Sequence, residues 1–199
     1  DLFWLSSTLL LLFQEVGSCP EKCLCHPPTK TVDCSRQGLR QIPSQLPPRT
    51  QILRLQNNQI GELPTSAFSR TPLLRALDLS NNSLSSLAPG AFLGLAHLQV
   101  LNLARNSLRS VESKLFQSLP QLQDLDLSFN HIRELPRFGR ETLSRLTRLA
   151  MQRNQLQQLH RAHLEALPSL RVLFFKDNLW KCNCHLFGLK LWLESFVYK

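Results

Sequence analysis

The residues best equipped for chemistry in this 199-residue sequence are its six cysteines. Four of them, Cys19, Cys23, Cys25 and Cys34, lie near the amino terminus with the spacing C-x3-C-x-C-x8-C. Thiols in such a cluster form disulfides or bind zinc, and His26 would serve a zinc site as an extra ligand. We favour two disulfides, because the residues before Cys19 indicate secretion into an oxidising compartment. The spacing alone leaves three pairings open.

The remaining cysteines, Cys182 and Cys184, are separated by a single residue. A disulfide between cysteines that close would require a strained ring, so each is expected to pair elsewhere. Because the other four cysteines form their own cluster, we expect the partners of this pair beyond residue 199.

No catalytic constellation is apparent. The histidines share no spacing with a serine, cysteine or acidic partner, and His160 and His163 are interpreted as exposed surface side chains. The 7 glycines form no phosphate-cradling loop, and no cluster of histidines and acids has metal-ligand spacing. We therefore expect neither enzymatic activity nor a cofactor nor a bound metal.

The first 18 residues have the pattern of a secretory signal peptide. Their apolar run is too short for a membrane span, which needs roughly 20 residues. Val16 and Ser18 are the short residues expected just before cleavage at Cys19. The alternative is a buried helix at the start of the domain. A signal peptide predicts a protein of the secretory pathway, located at the extracellular face of the plasma membrane or in the extracellular space.

The strongest pattern in the sequence is a repeat of 24 residues that carries one asparagine per period. Apolar residues stand five and three positions before each asparagine and two positions after it, which gives L-x-x-L-x-L-x-x-N-x-L. The period and the pattern are those of leucine-rich repeats. Six copies are in register between residues 50 and 178, with the asparagines Asn58, Asn82, Asn106, Asn130, Asn154 and Asn178.

The repeat predicts the architecture of the fold. The alternating L-x-L positions predict a short strand in each repeat, and strands of successive repeats then pair into one parallel, concave sheet. An asparagine amide both donates and accepts hydrogen bonds, so a stack of buried asparagines satisfies the backbone groups of each turn. We expect a leucine-rich-repeat solenoid, a horseshoe arc of α/β type, with a largely non-helical convex side.

A second periodic feature predicts the packing beneath the convex side. Phe68, Phe92 and Phe116 recur every 24 residues and form an aromatic column. Arg140 occupies the equivalent position in the next repeat, so the column is interrupted there. We expect the irregular segment around it to bulge and Phe138 to replace the missing ring.

An open solenoid exposes its core at both ends, so each end needs a cover. Residues 19–48 are interpreted as a cysteine-rich cap pinned to the first repeat, and residues 179–199 as the start of a second, truncated cysteine-rich cap. Trp180 and Trp192 are interpreted as residues that pack the second cap.

The two caps carry a resemblance to known proteins. The spacing C-x3-C-x-C…C and the segment N-x-W-x-C-x-C-x4-L-x2-W-L resemble the flanking domains of extracellular leucine-rich-repeat proteins. Residues 176–184, with the sequence KDNLWKCNC, further resemble the leucine-rich repeat and transmembrane domain-containing proteins. The resemblance implies the pairs Cys19–Cys25 and Cys23–Cys34, and it places the partners of Cys182 and Cys184 in a later part of the second cap. It also implies a single-pass membrane anchor beyond residue 199, but it carries over no functional site residues.

The concave sheet is where this fold would bind a partner. Outward-facing positions of the last three repeats combine exposed aromatics with charged side chains, a composition typical of protein-binding hot spots. We predict that another protein ectodomain, and no nucleic acid, is bound through Phe129, Phe174, Arg148, Arg153 and Asp126.

Heparan sulfate is the alternative partner. The net charge is +9, and arginines are concentrated in the fourth and fifth repeats, where Arg133, Arg137, Arg140 and Arg145 are the predicted polyanion-binding residues. The two partners are compatible: the cap–repeat–cap layout is similar to that of the Slit guidance proteins, which bind Roundabout receptors and heparan sulfate. That resemblance makes a Roundabout-like receptor one candidate ectodomain.

We predict a glycan on Asn81, because the Asn81-Asn82-Ser83 segment is the only N-x-S/T sequon. Peptide mapping of secreted material should find the modified peptide, and its mass should fall after enzymatic removal of the glycan. An Asn81→Gln variant is the control. An unmodified Asn81 would count against passage through the secretory pathway.

Overall fold

The protein is built around one short strand per repeat. In a computed structural model, which describes residues 18–139 and 142–181, eight strands of three residues pair in sequence order into a single sheet. The strands are β1 (Leu24–His26), β2 (Thr31–Asp33), β3 (Ile52–Arg54), β4 (Ala76–Asp78), β5 (Val100–Asn102), β6 (Asp124–Asp126), β7 (Arg148–Ala150) and β8 (Val172–Phe174). The expected signal peptide (apart from Ser18), Arg140, Cys182, Cys184 and Trp192 lie outside the described residues.

The sheet has the predicted parallel register. From β2 to β8 each strand is parallel to the next, and equivalent residues of successive repeats stand opposite each other, as Leu53 and Leu77 do. The middle residue of β3 to β6 is buried, while its two neighbours face outward and are at least partly exposed. The predicted fold class, a leucine-rich-repeat solenoid with a parallel concave sheet, is therefore confirmed.

The asparagines form a continuous ladder between repeats. In the third repeat, Asn106 Nδ2 donates to the carbonyl of Leu103 in its own repeat and to that of Leu79 in the preceding one, both at 3.0 Å. Its Oδ1 accepts from the backbone N–H of Leu84, also at 3.0 Å. The same three bonds recur at the other asparagines from Asn82 to Asn178, one within the repeat and two to the preceding repeat. Each amide thus joins two repeats.

The first member of the ladder also anchors the amino-terminal cap. Asn58 donates to the carbonyl of Cys34 and accepts from the N–H groups of Gln37 and Leu39. Burial is not uniform along the ladder: four of the asparagines are buried, while Asn82 and Asn178 are half-buried. The sequence predicts a stack of buried asparagines, and this prediction is wrong for Asn82 and Asn178.

Aromatic packing beneath the convex side follows the sequence pattern. The Phe68, Phe92 and Phe116 side chains are at most 1% exposed, and the rings of Phe68 and Phe92 stack at 6.2 Å. In the fourth repeat Phe138 packs its ring against Phe116 at 5.8 Å and 65°, and it is 8% exposed. The prediction that Phe138 takes over the interrupted column is confirmed.

The convex side contains little helix among the described residues. A 3₁₀ turn covers Ser113–Phe116, and the α-helix α1 covers Arg161–Glu165. The interpretation of His163 as an exposed side chain is wrong, because this residue is 8% exposed. It faces inward from α1, and its ring contacts that of His160, with the centroids 5.6 Å apart.

The two ends of the described chain are closed differently. At the amino end β1 and β2 form an antiparallel hairpin, and disulfides join Cys19 to Cys25 and Cys23 to Cys34, the pairing that the family resemblance implies. At the other end Trp180 packs edge-on against Phe175, with ring centroids 5.9 Å apart.

Replacing Asn106 with alanine should lower the free energy of unfolding by about 1–3 kcal/mol, because the buried Leu84 N–H and Leu79 carbonyl lose their partners. Chemical denaturation of the purified protein measures the change. Ser107→Ala, an exposed neighbour in the same turn, is the control and should be close to neutral. Equal stability of the two variants would contradict the role of the ladder.

Acidification should lower the free energy of unfolding, because the buried His163 on the convex side then becomes protonated. Burial lowers the pKa of His163, and the charges of His160 and Arg137 lower it further, while Glu134 acts in the opposite direction. With a folded-state pKa below the unfolded value, the contribution of neutral His163 is present above pH 6.5 and is lost as the pH falls through the folded-state pKa.

The melting temperature should therefore fall between pH 7.5 and pH 5.5 by more in the unmodified protein than in a His163→Gln variant. Glutamine keeps an acceptor for the backbone N–H of His160, which donates to Nδ1 of His163 at 3.4 Å. Scanning calorimetry at both pH values tests this expectation. Identical pH dependence of the two proteins would assign the effect to other groups.

Candidate protein-binding surface

Side chains on the concave sheet are arranged in columns, because equivalent residues of successive repeats lie side by side. The third residue of each strand forms the central column, which reads Arg54, Asp78, Asn102, Asp126, Ala150 and Phe174. The column is most exposed at its two ends, at Arg54 and at Phe174, and Phe174 is 45% exposed.

Several acidic and amide side chains of this column have a structural role that the sequence analysis missed. Oδ1 of Asp78, Asn102 and Asp126 each accepts a hydrogen bond, at 2.9 to 3.0 Å, from the backbone N–H two residues further along. Such local bonds end a strand and start a turn. The signal for this role was present in the sequence, as an Asp or Asn directly at the predicted strand end.

Arg148 is the centre of the first cluster of predicted binding residues. Its guanidinium donates to Asp124 Oδ1 at 2.7 Å and lies 3.8 Å from Asp126 Oδ2. The same guanidinium lies 5.3 Å from the centre of the Phe174 ring. Three neighbouring strands, β6, β7 and β8, therefore hold one aromatic, one arginine and two carboxylates in fixed mutual positions.

Phe129 is the centre of the second cluster, at the edge where the chain leaves the strands. Arg105 lies over one side of its ring at 4.1 Å, and Arg153 also contacts the ring at 5.2 Å. Arg153 in turn is paired with Asp177 at 3.3 Å. We call the residues that precede the ladder asparagines the exit column: Asn57, Asn81, Arg105, Phe129, Arg153 and Asp177.

The backbone of the exit column is left-handed throughout, with φ between +52° and +61°. Asparagine tolerates this conformation better than most residues, whereas a bulky side chain is strained there by about 1 kcal/mol or more. Asn57 and Asn81 match that preference, and Asn81 Nδ2 donates to Asn57 Oδ1 at 2.7 Å. Phe129 does not match it.

The five predicted protein-binding residues thus fall into two clusters on the fourth to sixth repeats. Phe174, Arg148 and Asp126 lie together on the sheet, while Phe129 and Arg153 lie together in the exit column. Both arginines are already paired with carboxylates, so their guanidinium planes are held in place before any partner arrives.

The arginines of the predicted polyanion-binding set are not collected in one patch. Arg145 precedes β7 and donates to Gln121 at 2.6 Å, whereas Arg133 lies beyond the end of β6 and donates to Gln155 at 3.3 Å. The two therefore flank opposite ends of the strands. Arg137 follows on the side of Arg133, and Arg140 lies outside the described residues.

The amino-terminal end of the concave face has a different character. Asp33 and Arg54 form an ion pair at 3.5 Å. Burial alone would raise the pKa of Asp33, but hydrogen bonds from Ser35 and the charge of Arg54 outweigh it, so the pKa is lowered. Polar groups dominate this end, and the exposed aromatic of the central column lies at the other one.

Residues 18–139 and 142–181 contain no set of three or more His, Cys, Asp or Glu side chains arranged to hold a metal ion. In the same residues no helix has the length and apolar character needed to cross a membrane.

Comparison with known sequences agrees with the repeat architecture. The leucine rich repeat family matches residues 48–108 and 74–132. Mouse leucine-rich repeat and transmembrane domain-containing protein 1 is 57% identical over 195 residues, which cover 98% of this chain and 55% of that protein. Rat leucine-rich repeat-containing protein 3 is 42% identical over 63 residues, or 31% of this chain and 24% of that protein. The chain spans about half the length of the mouse relative.

Solved structures share the fold. TLR13 in its complex with ssRNA13 superimposes with a TM-score of 0.71 and 30% identity, over 81% of this chain and 23% of TLR13. Human 5T4, the trophoblast glycoprotein, gives a TM-score of 0.57 and 26% identity, over 89% of this chain and 87% of that one.

The repeat ladder and the disulfide-bonded first cap agree with the identity that runs through almost the whole sequence. The chain is a leucine-rich-repeat protein, and over almost its whole length it is similar to mouse leucine-rich repeat and transmembrane domain-containing protein 1.

Proposed function

We propose that this chain is a non-catalytic extracellular binding module that engages another protein ectodomain through the concave face and exit column of its fourth to sixth repeats. The observation that carries the proposal is Phe129, an aromatic side chain held between two arginines on a left-handed backbone.

Phe129 stands where the local backbone disfavours it. A strained residue that persists in a turn points to a role other than stability. Its ring is half-buried, so one part contacts Arg105 and Arg153 while the rest faces solvent. Aromatic and arginine side chains in fixed positions contribute strongly to protein interfaces because little entropy is lost when they bind.

Phe174 and Arg148 support the same location. A large aromatic that is 45% exposed presents apolar area that a partner can bury. Val172, on the same strand, is 40% exposed and extends this apolar area. The carboxylates around Arg148 hold its guanidinium against the ring, so the two clusters form a prearranged surface with an apolar centre and a charged rim.

Extracellular placement is supported by the two disulfides of the amino-terminal cap, since such bonds persist in oxidising compartments. The name of the mouse relative includes a transmembrane domain, and that relative extends well beyond the matched part. We therefore propose a cell-surface protein whose membrane anchor follows residue 199, with a role in adhesion, guidance or receptor modulation.

A Phe129→Ala, Phe174→Ala double variant should lose at least about tenfold in affinity for the partner ectodomain, since hot-spot aromatics contribute about 2 kcal/mol or more each. The measurement is surface binding of secreted protein to a panel of receptor ectodomains, which includes a Roundabout receptor, followed by titration of each ligand that binds. Normal secretion and an unchanged melting curve would establish that the variant is folded.

An Arg54→Ala, Asp78→Ala double variant is the matched control, because it alters two outward-facing residues at the other end of the central column. It should bind as the unmodified protein does. If the control loses binding while the aromatic variant retains it, the partner docks on the amino-terminal repeats and the proposed surface is wrong.

A second proposed function is binding of heparan sulfate or a related matrix polyanion. Beyond the net charge of +9, the observation in its favour is that Arg133 and Arg137 form no ion pair with any described carboxylate. Retention on immobilised heparin should fall steeply as salt is raised, because each neutralised anionic group releases counterions. Salt-independent retention would contradict this function.

A further inference from the structure

A polar cavity lies between the irregular fourth repeat and the fifth, away from the concave surface. Its volume is about 470 Å³. The wall combines four nitrogen-rich basic side chains with amides and one acid: Arg133, Arg137, His160, His163, Gln157, Gln158 and Glu134. A cavity of this size is within the range of small-ligand sites.

The cavity arises where the repeat pattern breaks. Phe138 turns inward to complete the aromatic column, and Arg137, directly before it, lines the cavity. From the fifth repeat, α1 brings His163 to the cavity wall. Neither feature belongs to the repeated positions of the other coils.

The donors of the cavity outnumber its acids. Arg133 and Arg137 are exposed, and neither pairs with a described carboxylate, although Glu134 also lines the wall. The Gln157 and Gln158 amides add neutral donors. The guanidinium group of arginine presents several N–H donors in one plane. Together with nearby amides, such groups suit an oxyanion that carries several acceptor oxygens.

His163 adds a charge that depends on pH. Its ring contacts His160 on its own turn, while Arg137 and Glu134 face it from the preceding repeat. Arg161 and Glu165, the other charged residues of α1, are paired with each other at 2.7 Å. Burial is the main reason why the pKa of His163 is lowered, and without a ligand the ring is neutral at pH 7.5.

We propose that this cavity binds a sulfate group of a sulfated polysaccharide, and that binding tightens as the pH falls from neutral toward 5.5. The inference rests on the second proposed function, and it places that function in a defined site.

An extended sulfated chain fits better than a compact acid because basic side chains continue on both sides of the cavity. The positions three residues after the ladder asparagines align along one edge of successive repeats. In the third to sixth repeats they are Arg109, Arg133, Gln157 and Lys181, all at least partly exposed. Two of the four line the cavity, and the cations Arg109 and Lys181 extend the row beyond it in either direction.

The pH dependence follows from linkage. An anion beside His163 favours the protonated form of its ring, so binding takes up protons and must strengthen as the proton concentration rises. Histidine is the side chain whose charge changes between pH 5 and 8. The arginines remain charged throughout, so they contribute at both ends of that range.

The test measures binding of a short heparin oligosaccharide to the secreted chain at pH 7.5 and pH 5.5, at constant ionic strength. The unmodified protein should bind about fivefold more tightly at pH 5.5. An Arg133→Gln, Arg137→Gln variant should lose about tenfold at both pH values. The control Arg40→Gln, Arg75→Gln removes two exposed charges from the amino-terminal part of the chain and should stay within about twofold of the unmodified protein.

A His160→Gln, His163→Gln variant isolates the pH response. It should bind as the unmodified protein does at pH 7.5 and show no gain at pH 5.5, while the melting curve reports on its folding. A gain that persists in this variant would overturn the pH part of the inference.

Two competitors identify the ligand. Inorganic sulfate should displace the oligosaccharide only at a large excess, since it occupies one subsite of a longer contact. Equal potency of inorganic sulfate would reduce the site to one for a free anion, and equally tight binding of polyglutamate would replace the polysaccharide with an acidic protein segment. Each outcome contradicts the proposal.

The failure of the site and the failure of the function are distinct results. If the unmodified protein binds no heparin at either pH, the second proposed function falls together with the site. If it binds, but the Arg133→Gln, Arg137→Gln variant binds as tightly as the Arg40→Gln, Arg75→Gln control, the function stands and the cavity is not its site.

Discussion

The three-way hydrogen bonding of the ladder asparagines is the constraint on which the rest of the structure depends. Each amide ties the carbonyl of its own strand exit to a carbonyl and an N–H of the preceding repeat. Those bonds fix the distance and register between repeats, and the residue before each asparagine must then adopt a left-handed backbone. Sheet register, the exit column and the stacking of core leucines all follow from this one arrangement, because none of them can shift without breaking a buried bond.

Strict register has an electrostatic consequence. Side chains that are 24 residues apart stand beside each other, so neighbours in a column either complement or oppose one another. The ion pairs Arg148–Asp124 and Arg153–Asp177 each join adjacent repeats, and Arg54–Asp33 joins the first repeat to the amino-terminal cap. The cation–π contacts of Phe129 follow the same geometry. A spacing of 24 residues in the sequence therefore corresponds to a side-chain contact between adjacent repeats, and such contacts make up the concave surface.

This correspondence between spacing and contact explains which features of the fold the sequence could predict. The parallel sheet and the ladder follow from residues that recur every 24 positions. The inward position of Phe138 follows from the absence of a phenylalanine at residue 140, the next position of the aromatic column. The burial of His163 was missed because the aromatic column beneath the convex side ends before the fifth repeat, so no phenylalanine indicates which side of α1 faces inward. Asp126 was assigned only to binding, although an Asp directly at a predicted strand end was a visible signal for its bond to the backbone N–H of residue 128.

The ladder has a direction. From Asn82 onward, every amide reaches back to the repeat before it, to partners 22 and 27 residues earlier in the chain. A repeat is therefore hydrogen-bonded in full only after its successor exists. During synthesis on the ribosome, each newly emerged coil retains open backbone groups until about one more period has been translated. Each further coil thus supplies the partners of one N–H and one carbonyl in the coil before it, as Asn58 does for Leu39 and Cys34 of the amino-terminal cap.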